Sequence, residues 1–405
     1  MATSRPLDVL YVGMLPPHPG GSGISWSQVL RGLAGCGHTV RTVAPITQAA
    51  LDAGDVFAAA HPELDVTRFL VPHFYTGPNV PASAEYRALE RVQIEEKMTA
   101  AIARRRPDAV ISGRETFGLH VPELARRHAL PCLQGIRGNT AIAIASGTYP
   151  TDLATELLGE LRKASVLVSV AQHMADGLGR LGIGGVRVVR NSVDLAQFES
   201  RAADPALRRE LGIADGDVVV VHASNLKAAK RPLDLVGSAV SALRRDPRLL
   251  YVVVGDGAHR RDMEAACGDS AMAGRFRFVG WVDYARMPGY LALADLVVSP
   301  SQTEGLSRVY LETQASGKPL LASDIPAARE VVVDGVTGCL FRVGDLEHLA
   351  DQTVRLAADR ALRERIGANA RERVRSHSLP EVVAAYAEIL EECSRPRVRA
   401  AHAGA

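Results

Sequence analysis

The feature that most constrains this chain is a strand–loop–helix–strand unit that opens it and starts again near its middle. Leu7 to Met14 is a compact apolar run. The loop PPHPGGSG follows, then a helical pattern from about Ser25 to Leu33, ended by Gly35 or Gly37, and a second apolar run from Thr39 to Ala44. After Leu207–Leu211 the unit restarts. Val218 to His222 reads as a strand, ASNLKAAKRPLDLV leads into a helix, and Leu249 to Val254 is a strand ending in GDG. Short apolar runs that alternate with helical stretches predict parallel sheets covered by helices. Further strands are expected at Asp108–Ser112, Leu130–Gln134, Val166–Val170 and Val186–Val189. In the second half they are expected at Arg275–Gly280, Ala294–Val298, Pro319–Ala322 and Gly338–Phe341. Residues 45–107 are mixed until a charged helix from about Ser83 to Arg106; helices are also predicted at Leu119–His128, Thr151–Arg162 and Gln172–Leu181.

The expected class is therefore α/β, with two Rossmann-like, doubly wound halves. A chain of 405 residues suits two domains. RNSVDLAQF, at 190–198, has no regular pattern and reads as the linker, which divides the chain into 1–190 and 191–378. The last helical stretch, Leu379 to Cys393, is expected to pack back on the first half.

Composition narrows the function classes. A net charge of +2 gives no polyelectrolyte signal, so nucleic acid is not implied. Cys36, Cys132, Cys267, Cys339 and Cys393 are odd in number and contain no C-x-x-C pair. That suits a reducing, cytoplasmic setting and argues against a disulfide framework or zinc site. No signal peptide or membrane-spanning stretch is read from the sequence. Peripheral membrane contact and a homodimer stay open. Asp215-Gly216-Asp217 imitates a metal-binding acid pair but sits at the start of a strand and reads as a turn, so no metal is assigned.

Ser299 to Gly317, SPSQTEGLSRVYLETQASG, carries the densest chemistry. It follows an apolar run and is expected to open a helix at Gly305. The first free N–H groups, those of Gly305, Leu306 and Ser307, would then favour an anion such as phosphate. Glu304 would repel phosphate at that mouth and suits sugar hydroxyls. Glu312, about two turns on, would reach a second sugar such as a ribose. A phosphate between two sugars describes a nucleotide sugar, although an acidic surface helix with ordinary caps has the same pattern.

Other polar residues sit where strands end, which is where open parallel sheets bind ligands. Lys227 and Lys230, after the first strand of the second half, would neutralise a diphosphate. Arg114, Glu115, Arg137, Asn139 and Thr140 follow strands of the first half. Gly20, Gly21 and Gly23 permit positive φ and close backbone approach to a ligand. Their spacing is not G-x-G-x-x-G, and the second strand ends TVAP without the acid that binds an adenosine ribose, so NAD is set aside.

These residues together resemble a known family. EGLSRVYLETQASGKPLLASD, followed by REVVVDGVTGCLF, closely resembles the nucleotide-binding region of the retaining glycosyltransferases of family 4, which have the GT-B fold. NSVDLAQF, VVGDG and FVGW fit the same pattern in the same order. GGSGI and HASNLKAAKR look most like the bacillithiol-type N-acetylglucosaminyl malate synthases; the mycothiol and sucrose-type enzymes are more distant. The resemblance covers nearly the whole chain and is strongest from about 218 to 342.

The resemblance implies two Rossmann-like domains facing a central cleft, an acceptor-binding one at 1–190 and a nucleotide-sugar-binding one at 191–378. It implies that Glu304 meets donor sugar hydroxyls and that Gly305, Leu306 and Ser307 supply backbone donors. Glu312 would bind the ribose and Lys230 the diphosphate. Asn225 and Lys227 match the bacillithiol-type enzymes, and Gly21, Gly23 and Gly255 belong to loops near the donor. Many members carry His-Gly where this chain has Arg137-Gly138, and the bacillithiol-type enzymes follow with Thr-Asp where Asn139-Thr140 stands. Ser22, Arg114, Glu115, Arg137, Asn139 and Thr140 are accordingly the acceptor-side candidates. Arg137 would recognise an anionic group or pair with Glu115.

The expected activity is a metal-independent, retaining hexosyl transfer from a UDP- or GDP-sugar to a small or lipid-linked acceptor. It needs no cofactor beyond the nucleotide sugar as co-substrate, and Lys230, Glu304 and Lys227 carry the chemistry. Antibiotic or low-molecular-weight thiol biosynthesis is the expected setting. Glycolipid or polysaccharide assembly, a sugar-nucleotide epimerase or hydrolase, and a non-catalytic nucleotide-sugar sensor remain alternatives.

Overall fold

The structure is a computed structural model that describes every residue except 1–4, 19, 75–82, 117–118, 200–201, 269–271, 273 and 396–405. The chain divides into two compact units. One comprises residues up to Val170, Met174–Val189 and the chain from Pro380 onward; the other comprises Ala171–His173 and Arg190–Leu379.

The first unit holds a seven-stranded parallel sheet: β1 (Asp8–Val12), β2 (Thr39–Thr47), β3 (Val66–Val71), β4 (Ala109–Ser112), β5 (Cys132–Ile136), β6 (Val166–Ser169) and β7 (Val186–Val188). Their order is β3-β2-β1-β4-β5-β6-β7. The second unit holds a six-stranded parallel sheet: β8 (Val218–Ala223), β9 (Leu249–Val254), β10 (Phe276–Gly280), β11 (Leu296–Ser299), β12 (Leu320–Ser323) and β13 (Cys339–Phe341). Its order is β10-β9-β8-β11-β12-β13. Strand order reverses between β1 and β4 in one sheet and between β8 and β11 in the other. Ligands of doubly wound folds bind at such switch points, beyond the carboxyl ends of the strands.

The central strands are continuous apolar runs because helices cover both faces of each sheet. All six residues of β9 are buried. Alternation of apolar and polar residues is absent there for that reason. Val218, Val220, Leu249, Tyr251, Val253, Leu296 and Val298 join the helix residues Leu235, Val236 and Ala239 in one core. In the first unit Leu10, Val12, Val43 and Val110 pack with Ile94, Met98 and Ile102 of the helix Ala84–Arg104.

The predicted strands are all present, with ends displaced by a few residues. β3 was hidden in the mixed region 45–107. The helix Leu379–Ser394 belongs to the first unit from Pro380 onward. It closes on the helix Gly21–Gly35: the Tyr386 ring lies 5.2 Å from Trp26, and a Cβ on Gly32 would meet Val383 Cγ2 at 2.3 Å. The helix Gly21–Gly35 begins earlier than Ser25, after Gly20 at φ 124°. Gly20 thus takes the positive φ, whereas Gly21 and Gly23 lie inside the first helical turn. RNSVDLAQF contains one helical turn, Leu195–Phe198, whose cap Asp194 accepts from Gln197 N. Among the described residues no helix is long and apolar enough to cross a membrane.

Gly255 ends β9 at φ 119°, and a Cβ there would lie 1.9 Å from Ser224 O. The loops after β8 and β9 therefore meet backbone to backbone, joined by Leu226 N to Asp256 O at 2.9 Å. An alanine would carry the strain of that φ, of order 1–3 kcal/mol, and displace the Ser224 carbonyl as well. Gly255→Ala should lower the stability of the second unit by about 2 kcal/mol or more. Urea unfolding followed by Trp281 fluorescence in a Trp26→Phe background checks it; an unchanged midpoint would contradict this packing.

Candidate functional site

The loops after β8 and β11 stand side by side at the switch point of the second sheet. Gln302 N donates to Ala229 O at 2.9 Å, which ties them together. Lys230 ends the short 3-10 turn Ala228–Lys230, with Lys227 at its N-cap. Lys230 Nζ donates to both carboxylate oxygens of Glu304, each at 2.6 Å. Ser301 Oγ donates to Glu304 Oε1 at 2.8 Å. The Glu304 side chain is 9% exposed and that of Lys230 22%. An anion this buried requires its cation, because an unpaired carboxylate out of water is strongly disfavoured. Asn225 lies on the same loop as Lys230, and its Oδ1 is buried without a hydrogen-bond partner.

A second carboxylate is partnered in the same way. Glu312 Oε1 accepts from Tyr284 OH at 3.0 Å and from Arg308 Nε and Nη2 at 3.2 and 3.1 Å. Arg308 also donates to the Tyr284 hydroxyl and lies over its ring at 4.8 Å. Each acid of the stretch thus carries a basic group of its own.

One expectation fails here. The helix after β11 spans Arg308–Ala315, not from Gly305, and Ser307 is its N-cap in an extended conformation. The reason lies in partners from distant segments. Glu304 O lies 3.2 Å from His173 Nε2, and Asn191 Nδ2 donates to Leu306 O at 2.7 Å. Carbonyls engaged by side chains compete with a helical ladder, so residues 304–307 stay outside the helix, with bends at Gly305 and Leu306. Glu304 therefore precedes the helix rather than sharing a face with Glu312. Gly305, Leu306 and Ser307 lie in the loop, and the free N–H groups of the helix start at Arg308.

Beneath the lysine loop, His222 is fully buried. Its Nδ1 lies 2.9 Å from Val298 O, and its Nε2 lies 2.8 Å from Ser224 Oγ. A carbonyl only accepts, so Nδ1 carries the proton and Nε2 accepts from the serine. Burial, assisted by the nearby Lys230 charge, pushes its pKa down to about 4.

In the first unit five of the six acceptor-side candidates follow β4 and β5, and Ser22 lies in the first turn of the helix Gly21–Gly35. Glu115 is buried and, from the loop after β4, holds the loop after β5. It accepts from Arg137 N at 2.9 Å, Gly138 N at 2.7 Å and Thr140 Oγ1 at 2.7 Å. Gly138 permits this: a Cβ there would lie 2.9 Å from Glu115 Oε1. Asn139 is the N-cap of a helix, Thr140–Ala145. Arg137 pairs with Glu115 through its backbone and not its guanidinium. Its side chain stacks over Trp26 at 4.2 Å, donates to Ser25 Oγ at 2.9 Å and reaches Tyr386 OH at 3.4 Å. The stacking makes Arg137 a brace between two helices. Arg114 Nε and Ser22 Oγ are buried without hydrogen-bond partners.

The sequence reading missed Ser301, Tyr284, Arg308, His173, Asn191 and His222. Asn191, Ser301, Arg308 and His222 all lie inside motifs it quoted. Nothing in the sequence marks Tyr284 or His173, which enter from distant segments. Among the described residues no group of three His, Cys, Asp or Glu is arranged to hold a metal ion. Asp217, of the Asp-Gly-Asp turn, pairs with Arg275 at 2.8 Å.

Comparison with known proteins places the geometry in context. A family model described as Glycosyltransferase Family 4 matches residues 19–197, and one described as Glycosyl transferases group 1 matches 203–373. Together they take in most of the chain. It is 28% identical over 214 residues to an alpha-D-kanosaminyltransferase of Streptomyces kanamyceticus, covering 52% of this chain and 55% of that one. It is 34% identical over 243 residues to a D-inositol 3-phosphate glycosyltransferase of Nocardia farcinica, covering 56% and 53%. It is 30% identical over 190 residues to an N-acetyl-alpha-D-glucosaminyl L-malate synthase of Bacillus anthracis, covering 47% and 49%. The chain thus spans about half the length of these curated relatives. The structure of Anabaena Alr3699/HepE in complex with UDP and glucose is similar with a TM-score of 0.78 at 18% identity, covering 95% of this chain and 100% of that one. That likeness establishes the fold expected from the sequence, two Rossmann-like sheets of the GT-B type.

The buried His222 makes a pH prediction. Its folded pKa of about 4 lies below the ordinary 6.5. Below pH 6.5 the unfolded chain therefore binds a proton that the folded chain does not. Stability of the second unit should be full above pH 6.5 and fall as pH drops toward 4, by roughly 3 kcal/mol at 1.36 kcal/mol per unit. Urea midpoints between pH 7.5 and 4.5 should show this slope, and His222→Asn should flatten it. Equal slopes in both proteins would contradict the assignment.

Proposed function

Because the chain belongs to the family 4 glycosyltransferases, with a group 1 glycosyltransferase module following in the same chain, we propose that it moves a sugar from a nucleoside diphosphate sugar to a small-molecule acceptor, with retention at the anomeric carbon. The donor is a UDP- or GDP-sugar. The observation that carries this reading is the buried Lys230–Glu304 pair at the switch point.

On this reading the two partners exchange each other for the substrate. The Lys230 ammonium turns part of its hydrogen bonding to the diphosphate, with Lys227 adding positive charge. Glu304 accepts from hydroxyls of the donor sugar, and Glu312 accepts from the ribose with the oxygen that Tyr284 and Arg308 leave open. As the bond from the anomeric carbon to the diphosphate oxygen breaks, the lysines hold the charge that develops on the leaving group. The acceptor oxygen bonds to the same face of the carbon, and its proton passes to a diphosphate oxygen. The products are the glycoside and the nucleoside diphosphate. No protein nucleophile takes part. The lysines supply the positive charge, so no metal ion is required.

The names of the relatives favour polar, small acceptors: inositol 3-phosphate and malate are both anionic. The Arg137 guanidinium already donates to Ser25 Oγ and stacks on Trp26, which makes Arg114 the better partner for such an anion. Specialised metabolism, of an antibiotic or a low-molecular-weight thiol, is the setting we propose.

A panel of donors and acceptors in excess chelator tests the reading. It predicts release of one nucleoside diphosphate in step with a glycoside that keeps the donor's anomeric configuration. Lys230→Ala should cut turnover by about a hundredfold or more, as does the loss of one transition-state donor. Near-normal turnover in that variant would overturn the role of Lys230. Donor epimerised without diphosphate release, or donor bound with no turnover, would favour an epimerase or a sensor instead.

A further inference from the structure

The chain passes between its two units at residues 170–174, 189–190 and 379–380. Two of these crossings send a side chain to the loop that carries Glu304. His173 Nε2 lies 3.2 Å from Glu304 O, and Asn191 Nδ2 donates to Leu306 O at 2.7 Å. The bonds fall on alternate carbonyls of the loop that precedes the helix.

Both side chains are themselves fixed. Glu330 Oε1 accepts from His173 N at 2.9 Å and lies 2.8 Å from His173 Nδ1. Its Oε2 accepts from Gln172 N at 3.0 Å and lies 3.4 Å from Arg190 Nε. Burial would raise the Glu330 pKa, but the His173 ring and the two amides outweigh it and hold the carboxyl down at about 2. Glu330 is therefore an acceptor only. Glu304 O is a carbonyl and only accepts, so the bond at Nε2 needs the ring N–H on that nitrogen. Asn191 is buried, and its carbonyl lies 3.4 Å from His377 Nδ1. Leu379 N, at the third crossing, donates to Val193 O at 3.2 Å. The three crossings and the Glu304 loop thus form one hydrogen-bonded frame within the second unit.

We infer that His173 and Asn191 are positioning residues for the Glu304 loop, His173 through its Nε2 and Asn191 through its Nδ2. Their bonds keep residues 304–307 out of the helix that follows. Glu304 consequently faces Lys230 and Ser301 instead of joining a helical turn. Glu330 acts one step behind as the anchor of His173. The inference rests on the proposed glycosyl transfer only for its effect on turnover; the control of loop geometry stands apart from it.

Two substitutions separate the roles of the two ring nitrogens. His173→Gln sets an amide nitrogen near the Nε2 position and keeps a donor for Glu304 O. His173→Asn sets one near Nδ1 and keeps only the bond to Glu330. Amide hydrogen exchange over residues 300–310 is read without ligand; that segment includes the Gln302 amide bonded to Ala229 O. His173→Asn should speed exchange there tenfold or more, His173→Gln should stay near wild type, and turnover should follow the same order. Asn191→Asp, which loses its donor, should also speed exchange. Equal exchange in both His173 variants, whether slow or fast, would overturn the inference. An absence of glycosyl transfer would count against the proposed function and leave the exchange result intact.

Discussion

The site depends on one constraint: a carboxylate and an ammonium group held together at the switch point of the second sheet. Glu304 sits nearly out of water, so its charge must be met by Lys230 and Ser301. That requirement fixes how the loops after β8 and β11 lie against each other. The Gly255 backbone presses on Ser224, Gln302 is tied to Ala229, and His222 buttresses from below as a neutral ring. The pair itself carries no net charge. A diphosphate can then enter beside a carboxylate, since the ammonium can be shared between the two.

Glu312 repeats the arrangement with different chemistry. Arg308, one turn before it on the same helix, supplies the charge, and Tyr284 adds a neutral donor to the same oxygen. On the proposed reading this leaves the other oxygen for a ribose. Two carboxylates can then serve hydroxyl groups close to an anionic leaving group without repelling it.

The sequence made the architecture legible because its strands are buried on both faces. Runs such as LLYVVV at 249–254 have only one stable home, the middle of a parallel sheet. β3 escaped because VTRFLV is partly exposed and lies among polar residues. The acids and lysines of the site were legible from their places at strand ends. The helix start was not. Gly305-Leu306-Ser307 reads as a first turn when only neighbours in sequence are considered, and side chains about 115 and 131 residues away decide otherwise. Arg137 is similar. A basic residue at a strand end reads as a ligand for anions, but Trp26, Ser25 and Tyr386 claim its guanidinium. Local patterns reveal which residues are present at a site, whereas partners supplied by distant segments determine what remains open to a ligand.

The most direct measurement is calorimetric titration of the protein with UDP, GDP, ADP and dTDP in the presence of a chelator, repeated with Glu312→Ala. The account predicts selective, micromolar binding of one of the four, lost when the Glu312 carboxylate is removed. No binding of any of them, or binding indifferent to Glu312, would contradict the assignment of this switch point as a nucleotide-sugar site.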